Sequence, residues 1–174
     1  MKKLVISIFL ALIIFSRKPI TVKAELDAGS SAVPKFAMTQ PSTFDYRVYT
    51  LRKFLGRFDS PLTPYSLEFI KTADYYGIDW RMVPAISGVE STFGKAIPSN
   101  SYNAYGWVNG DYKFKSWPDS IQTVSMTLRK NYIDKGATSI SRISRIYAPP
   151  SKTWGAKVEY FEGKISPLPL SFDI

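Results

Sequence analysis

No cysteine occurs among the 174 residues of this chain, so no disulfide can staple it and its fold is held by an apolar core alone. Once the two ends are set aside, about 120 to 130 residues remain, and that length suffices for one domain with its own core. They are rich in Tyr, Phe, Ile and Trp. Histidine is missing as well. Ser-His-Asp and Cys-His catalysis, thiolate metal sites and imidazole-zinc sites are therefore excluded by the residue inventory.

The first 24 residues read as an export signal. Met1-Lys2-Lys3 is basic, and the apolar run over residues 4–15 is too short to span a bilayer comfortably. Val22-Lys23-Ala24 offers the small residues that a signal peptidase requires, so cleavage is expected after Ala24, with retention as a membrane anchor as the alternative. Cleavage removes Lys2, Lys3, Arg17, Lys18 and Lys23 and no acid, which takes the formal charge from +9 to +4. That surplus suits an anionic polymer such as a cell wall and is too small to argue for nucleic acid. Residues 25–43 are rich in Ala, Ser, Thr and Pro without a sustained period, and are expected to form a flexible linker. The tail 166–174 opens with Ser166-Pro167-Leu168-Pro169-Leu170, which cannot continue a helix, and is expected to lie extended.

Between these ends, apolar periodicity predicts helices over 46–55, 65–76, 80–92, 117–132, 139–147 and 154–165. Pro84 is awkward inside the third, where it is expected to remove one backbone bond and bend the first turn. Residues 105–114 interrupt the pattern with Asn109-Gly110 between aromatic and β-branched neighbours, which predicts a short β-hairpin. The expected class is α+β, predominantly α-helical, with a cleft between the helices and the β segment.

Glu90 is the one acid whose surroundings conflict with its charge. On a helical wheel it falls between Val83 and Ile86, with Met82, Val89 and Phe93 on the same face. Its headgroup therefore points toward the core or a cleft beside it. Desolvation, together with the negative end of a helix expected to stop at Gly94, predicts a raised pKa. A carboxyl still protonated near neutral pH is what a general acid needs. The competing reading is a buried Glu tied to Arg or Lys, or one whose head reaches water. Glu68, Glu159 and Glu162 lie off the apolar faces and are expected to be solvated, while Asp79 and Asp119 stand at helix starts as caps and Asp111 follows a turn. Trp117 and Trp154 open helices on apolar faces and are expected to be core.

Trp80-Arg81-Met82-Val83-Pro84-Ala85-Ile86-Ser87-Gly88-Val89-Glu90-Ser91-Thr92-Phe93-Gly94 resembles the glutamate-bearing helix of lysozyme-like peptidoglycan glycosidases, the soluble lytic transglycosylases and bacterial β-N-acetylglucosaminidases. Ser101-Tyr102-Asn103-Ala104-Tyr105-Gly106-Trp107 is similar to the Asn-aromatic-Gly segment that follows the glutamate in glucosaminidase-type members, and Tyr147-Ala148-Pro149-Pro150 resembles their downstream tyrosine motif. The three motifs keep their order and spacing, and the resemblance covers about residues 65–165. It implies a lysozyme-like fold over 44–165 and cleavage of the β-1,4 glycan of peptidoglycan, with Glu90 as acid and base and no metal or organic cofactor.

The same resemblance implies that Tyr147 contacts the substrate's acetamido group or Glu90, although spacing alone makes it a core aromatic on the face of Ile140 and Ile143. Ser91, Tyr102, Asn103, Tyr105, Gly106 and Trp107 are the expected substrate-binding residues, with the loop's aromatic rings as platforms for sugars. Ser91 equally fits a residue that finishes the helix, and Asn103 and Gly106 also fit ordinary turn positions. Two routes fit a single glutamate: lytic transglycosylation, in which the substrate supplies the nucleophiles, and hydrolysis, for which Asp111 is the candidate second acid. The expected product of the gene is a secreted or envelope-associated monomer acting on peptidoglycan strands. The alternative is a non-catalytic glycan-binding or envelope-structural domain.

Overall fold

Short polar side chains open three of the helices by one device, an oxygen that accepts a free N–H of the first turn. Asp45 Oδ1 accepts the Arg47 N–H at 2.9 Å to start α1 (Tyr46–Gly56). Ser116 Oγ accepts the Asp119 N–H at 3.2 Å to start α4 (Trp117–Thr127), and the Asp119 carboxylate accepts the Lys115 N–H at 2.9 Å in return. Ser139 Oγ accepts the Arg142 N–H at 3.3 Å to start α5 (Ile140–Tyr147). Helix α2 (Ser66–Tyr76) is entered through the 3-10 turn Thr63–Tyr65 and closes on Gly77, whose φ of 60° suits glycine. The remaining helices are α3 (Met82–Ser91) and α6 (Trp154–Ile165).

This computed structural model describes residues 44–149 and 151–165. The expected signal 1–24, linker 25–43 and tail 166–174 lie outside the described residues. The described residues belong to one compact unit.

The six α-helices among the described residues fall where periodicity places them, with two differences that have simple causes. Helix α3 begins at Met82 rather than at residue 80, so Pro84 occupies its third position. The first four N–H groups of a helix have no partner inside it, and the missing proline N–H therefore costs no bond. The fourth expected helix, 117–132, stays α-helical only to Thr127 and then widens into the π-helical turn Leu128–Tyr132 and tightens into the 3-10 turn Ile133–Lys135 before Gly136.

Helix α3 is buried almost all round, from Met82 through Gly88 and again at Ser91. An apolar helix without a polar face belongs at the centre of a domain, and α3 packs along α6 more extensively than on any other helix. The two run antiparallel, since Glu90 meets Trp154 at one end while Glu162 feels the charges of Asp79 and Arg81 at the other. Helix α4 packs on α2, α5 on α6, and α1 on α2. Beneath the end of α3 the ring of Phe93 is surrounded by Phe54, Phe58 and Phe161 at centroid distances of 5.4, 4.4 and 5.0 Å.

The β-hairpin expected over 105–114 does not form, and no strand occurs among the described residues. The fold is predominantly α-helical. Its one hairpin-like feature is the turn Trp107–Gly110, in which Val108 (φ 52°, ψ 47°) and Asn109 (φ 53°, ψ 29°) are both left-handed. That pair resembles the reversal of a two-residue hairpin, shifted one residue earlier than Asn109-Gly110. The flanks do not ladder because a side chain takes the place of the opposite strand. Asn103 Nδ2 donates to the carbonyls of Trp107 and Tyr112 at 2.9 and 3.1 Å, and its Oδ1 accepts the N–H of Trp107 at 3.1 Å.

A methyl group at Gly88 would lie 2.5 Å from Phe93 Cε1 and 3.2 Å from Phe161 Cδ2. Alanine gains about 1 kcal/mol in helix propensity, but overpacking costs about 1 to 3 kcal/mol, and the Phe93 ring is enclosed on three sides. Gly88→Ala is therefore expected to be a net loss of stability, read as a lower urea midpoint with an unchanged slope. A raised midpoint would show that the aromatic cluster is loose.

Candidate active site

Glu90 lies on the last turn of α3, where the chain makes three left-handed steps in succession at Thr92 (φ 51°), Phe93 (φ 58°) and Gly94 (φ 80°). Only the last has the glycine that such a backbone favours, and the other two cost about 1 to 2 kcal/mol each. Hydrogen bonds hold them there. Ser91 Oγ donates toward the carbonyls of Ser87 (3.0 Å) and Ala104 (2.9 Å) and accepts the Gly94 N–H at 2.8 Å, while Ser60 Oγ donates to the Phe93 carbonyl at 2.7 Å. The helix thus stops at Ser91, three residues before the glycine expected to end it.

The segment after the turn is brought back under Glu90 by polar side chains. Ser91 fixes it at Ala104, and Asn103 folds it around its own amide, accepting the N–H of Tyr105 at 3.4 Å in addition to the bonds to Trp107 and Tyr112. Gly106 then passes against the carboxyl. A Cβ on Gly106, which has φ 69°, would come within 2.5 Å of Glu90 Oε2. Both the backbone conformation and the space require glycine here.

The other oxygen of Glu90 has one hydrogen-bond donor among the described residues. Trp154 Nε1–H donates to Oε1 at 2.5 Å from the first turn of α6, 64 residues along the chain. The indole is stacked on Tyr147 at 4.9 Å with 23° between the rings, and the Tyr147 hydroxyl donates to the Tyr105 carbonyl at 2.7 Å. Glu90 is half-buried. Desolvation raises its carboxyl above the usual range, and the Trp154 hydrogen bond opposes that by favouring the anion. Burial pushes the Tyr147 hydroxyl well above the ordinary tyrosine range, the nearby Glu90 charge pushes the same way, and the neighbouring Trp107 side chain opposes them.

The residues expected to bind substrate divide into two groups. Gly106 and Trp107 adjoin Glu90 and Tyr147 respectively. Ser91, Asn103 and Tyr105 are buried, with exposures of 3, 2 and 0 %, and the first two have their polar atoms committed to the chain's own backbone. Tyr105 sits in the core with its hydroxyl toward Ser120, so it is no platform for a sugar. Tyr102 is half-buried with its ring edge-on to Trp117 at 5.3 Å. Tyr147 does not donate to Glu90 as one expected role required, because its proton is held by Tyr105. Asp111 is exposed, and its N–H closes the preceding turn.

Trp154 was expected as core alone. It is core, at 4 % exposure, and also the donor to Glu90. No local pattern announces that role, since only the packing of α6 on α3 brings the two together. Glu162, expected to be solvated, is half-buried, and desolvation together with the Asp79 charge raises its carboxyl to about 7. Its site is the opposite end of α3, where Asp79 pairs with Arg81 at 2.6 Å. No group of three or more Asp or Glu side chains among the described residues is placed to hold a metal ion. No protein-family model matches the chain, and no curated protein matches it.

Asn103→Ala removes the amide around which the loop is folded and leaves backbone groups of Trp107 and Tyr112 without partners, an expected loss of about 2 to 4 kcal/mol measurable by urea denaturation. A loss within 0.5 kcal/mol, roughly the range of an ordinary surface change, would mean that the loop stands without its hub. A second expectation concerns Glu90. Because folding raises its pKa, the folded state holds the proton more tightly than the unfolded one. The group costs nothing below its ordinary pKa of 4.5 and destabilises progressively as pH climbs through the raised folded value. The stability of Glu90→Gln relative to wild type is thus expected to move in glutamine's favour from acid to neutral pH. A constant difference would show an unperturbed carboxyl.

Proposed function

We propose that this chain is an exported peptidoglycan-cleaving glycosidase of lysozyme-like fold, in which Glu90 protonates the glycosidic oxygen of the β-1,4 glycan. The observation that carries the reading is a half-buried carboxyl, raised by desolvation, with the Trp154 indole N–H on one oxygen and the Gly106 backbone beside the other. A carboxylic acid delivers a proton at neutral pH when its surroundings disfavour the anion and one oxygen is open to the substrate. The motifs around Glu90, Asn103 and Tyr147, which resemble those of peptidoglycan glycosidases, supply the substrate class.

Departure of the leaving oxygen generates positive charge at the anomeric carbon, which a second carboxylate or a substrate group must meet. With Glu90 as the one acid of the site, the substrate's own acetamido and 6-hydroxyl groups, or a water, complete the reaction. Glu90 then acts as base in the second half, taking back a proton from the attacking oxygen. Trp107, half-buried beside Tyr147, offers a ring for contact with a sugar.

Digestion of purified cell wall tests this directly. Glu90→Gln is expected to lower turnover by about 10² to 10⁴-fold, the usual share of a general acid, and wild-type activity is expected to fall on the alkaline side as the raised carboxyl ionises. Equal clearing by both proteins would remove Glu90 as the acid, and no clearing by wild type would leave glycan binding without catalysis. Mass spectrometry of the products separates the routes: anhydro ends mark transglycosylation, and the identity of a free reducing sugar marks the bond hydrolysed.

A further inference from the structure

We propose that Trp154 is the positioning residue of this site: its indole N–H fixes Glu90 Oε1 as an acceptor, so the transferable proton sits on Oε2, the oxygen on the Gly106 side. This rests on the reading of Glu90 as an acid. The chemistry is restrictive because an indole nitrogen can only donate. An oxygen that receives its N–H at 2.5 Å is the carbonyl oxygen of a protonated carboxyl, and the hydroxyl is then the other one.

The placement is enforced by a closed circuit of contacts. Trp154 is buried and stacked on Tyr147, Tyr147 donates to the Tyr105 carbonyl, and the next residue, Gly106, lies against Glu90 Oε2. Each oxygen of the carboxyl is thereby referenced to the same short stretch of backbone, one through two aromatic rings and one by direct approach. Among the described residues no lysine or arginine pairs with the acid, a partner that would pull it toward the anion.

During cleavage the bond from the anomeric carbon to the bridging oxygen breaks, its electron pair stays on the oxygen, and the Oε2 proton moves to that oxygen. A water or the substrate's 6-hydroxyl supplies the new bond to carbon. The negative charge left on Glu90 is shared with Oε1, where the Trp154 N–H is already aligned. A hydrogen bond to the charged form favours that form, so the indole assists the departure of the proton that it has placed.

The full-length chain carrying Trp154→Phe keeps a ring on Tyr147 and loses the donor. The Glu90 carboxyl, followed by ¹³C NMR in glutamate-labelled protein and assigned by its absence in Glu90→Gln, is expected to titrate at higher pH in this variant than in wild type. An unchanged midpoint overturns the proposal. In wall digestion kcat is expected to fall about tenfold or more, as a misplaced acid does, with KM unchanged and the alkaline limb displaced upward with the carboxyl. A joint change of kcat and KM with the limb in place would make Trp154 a packing residue only, and also overturns it. Should Trp154→Phe fail to fold, incorporation of 3-benzothienylalanine at position 154 keeps the shape of the indole and removes only the N–H. The carboxyl titration needs no substrate. Absence of wall cleavage by wild type would therefore remove the glycosidase reading while the titration still decides the role of the indole.

Discussion

One carboxyl group sets the terms for this structure. Glu90 terminates the most buried helix, where an ordinary glutamate would be expelled or paired with a cation, and it is held instead between a neutral N–H donor and a glycine backbone. A neutral donor offsets part of the desolvation without stabilising the anion as a guanidinium would. The chain has cations to spare for such a pairing, and Arg81 at the other end of α3 shows what that looks like, bound to Asp79 through two nitrogens. The contrast between the ends of one helix is electrostatic: one acid is lowered by its arginine, the other raised by apolar surroundings.

Holding the carboxyl in this way requires an irregular loop to keep an accurate course, and the loop does so with side-chain hydrogen bonds rather than with a sheet. Ser91 and Asn103 spend all their polar capacity on backbone groups of the turn and loop. Buried backbone must find partners, and here an amide side chain provides them at less length than a second strand would need. The left-handed residues Thr92, Phe93 and Val108 are tolerated because these bonds over-determine their positions. The glycosidase reading draws on the outcome, a hydrogen-bonded loop that brings Gly106 against one oxygen of Glu90.

Much of this was legible beforehand. Helices α1, α2, α5 and α6 are bounded within a residue or so of their apolar periods because caps such as Asp45 and Ser139 and the stop at Gly77 act locally. Glu90 stood out for the same reason: a helical wheel reports its neighbours without knowledge of the fold. The β-hairpin does not form although Asn109-Gly110 carries a sound turn signal, because the residue that takes up the loop's backbone groups, Asn103, lies outside the segment and acts through its side chain. Ser91 and Tyr105 matched a binding motif but are spent on the interior, which no motif distinguishes from contact with a ligand.

The sequence by itself determined the helices, the cysteine-free core, and the identity of the one acid set among apolar neighbours, since all of these follow from periodicity, capping and composition over a few residues. Only the tertiary structure decided which oxygen of that acid is engaged. The indole that engages it arrives from 64 residues away, and the glycine that lies against the other oxygen is steered there by two serines and an asparagine. Local pattern fixes where a side chain points from its own helix. What meets it there depends on long-range packing, which no short window of residues contains.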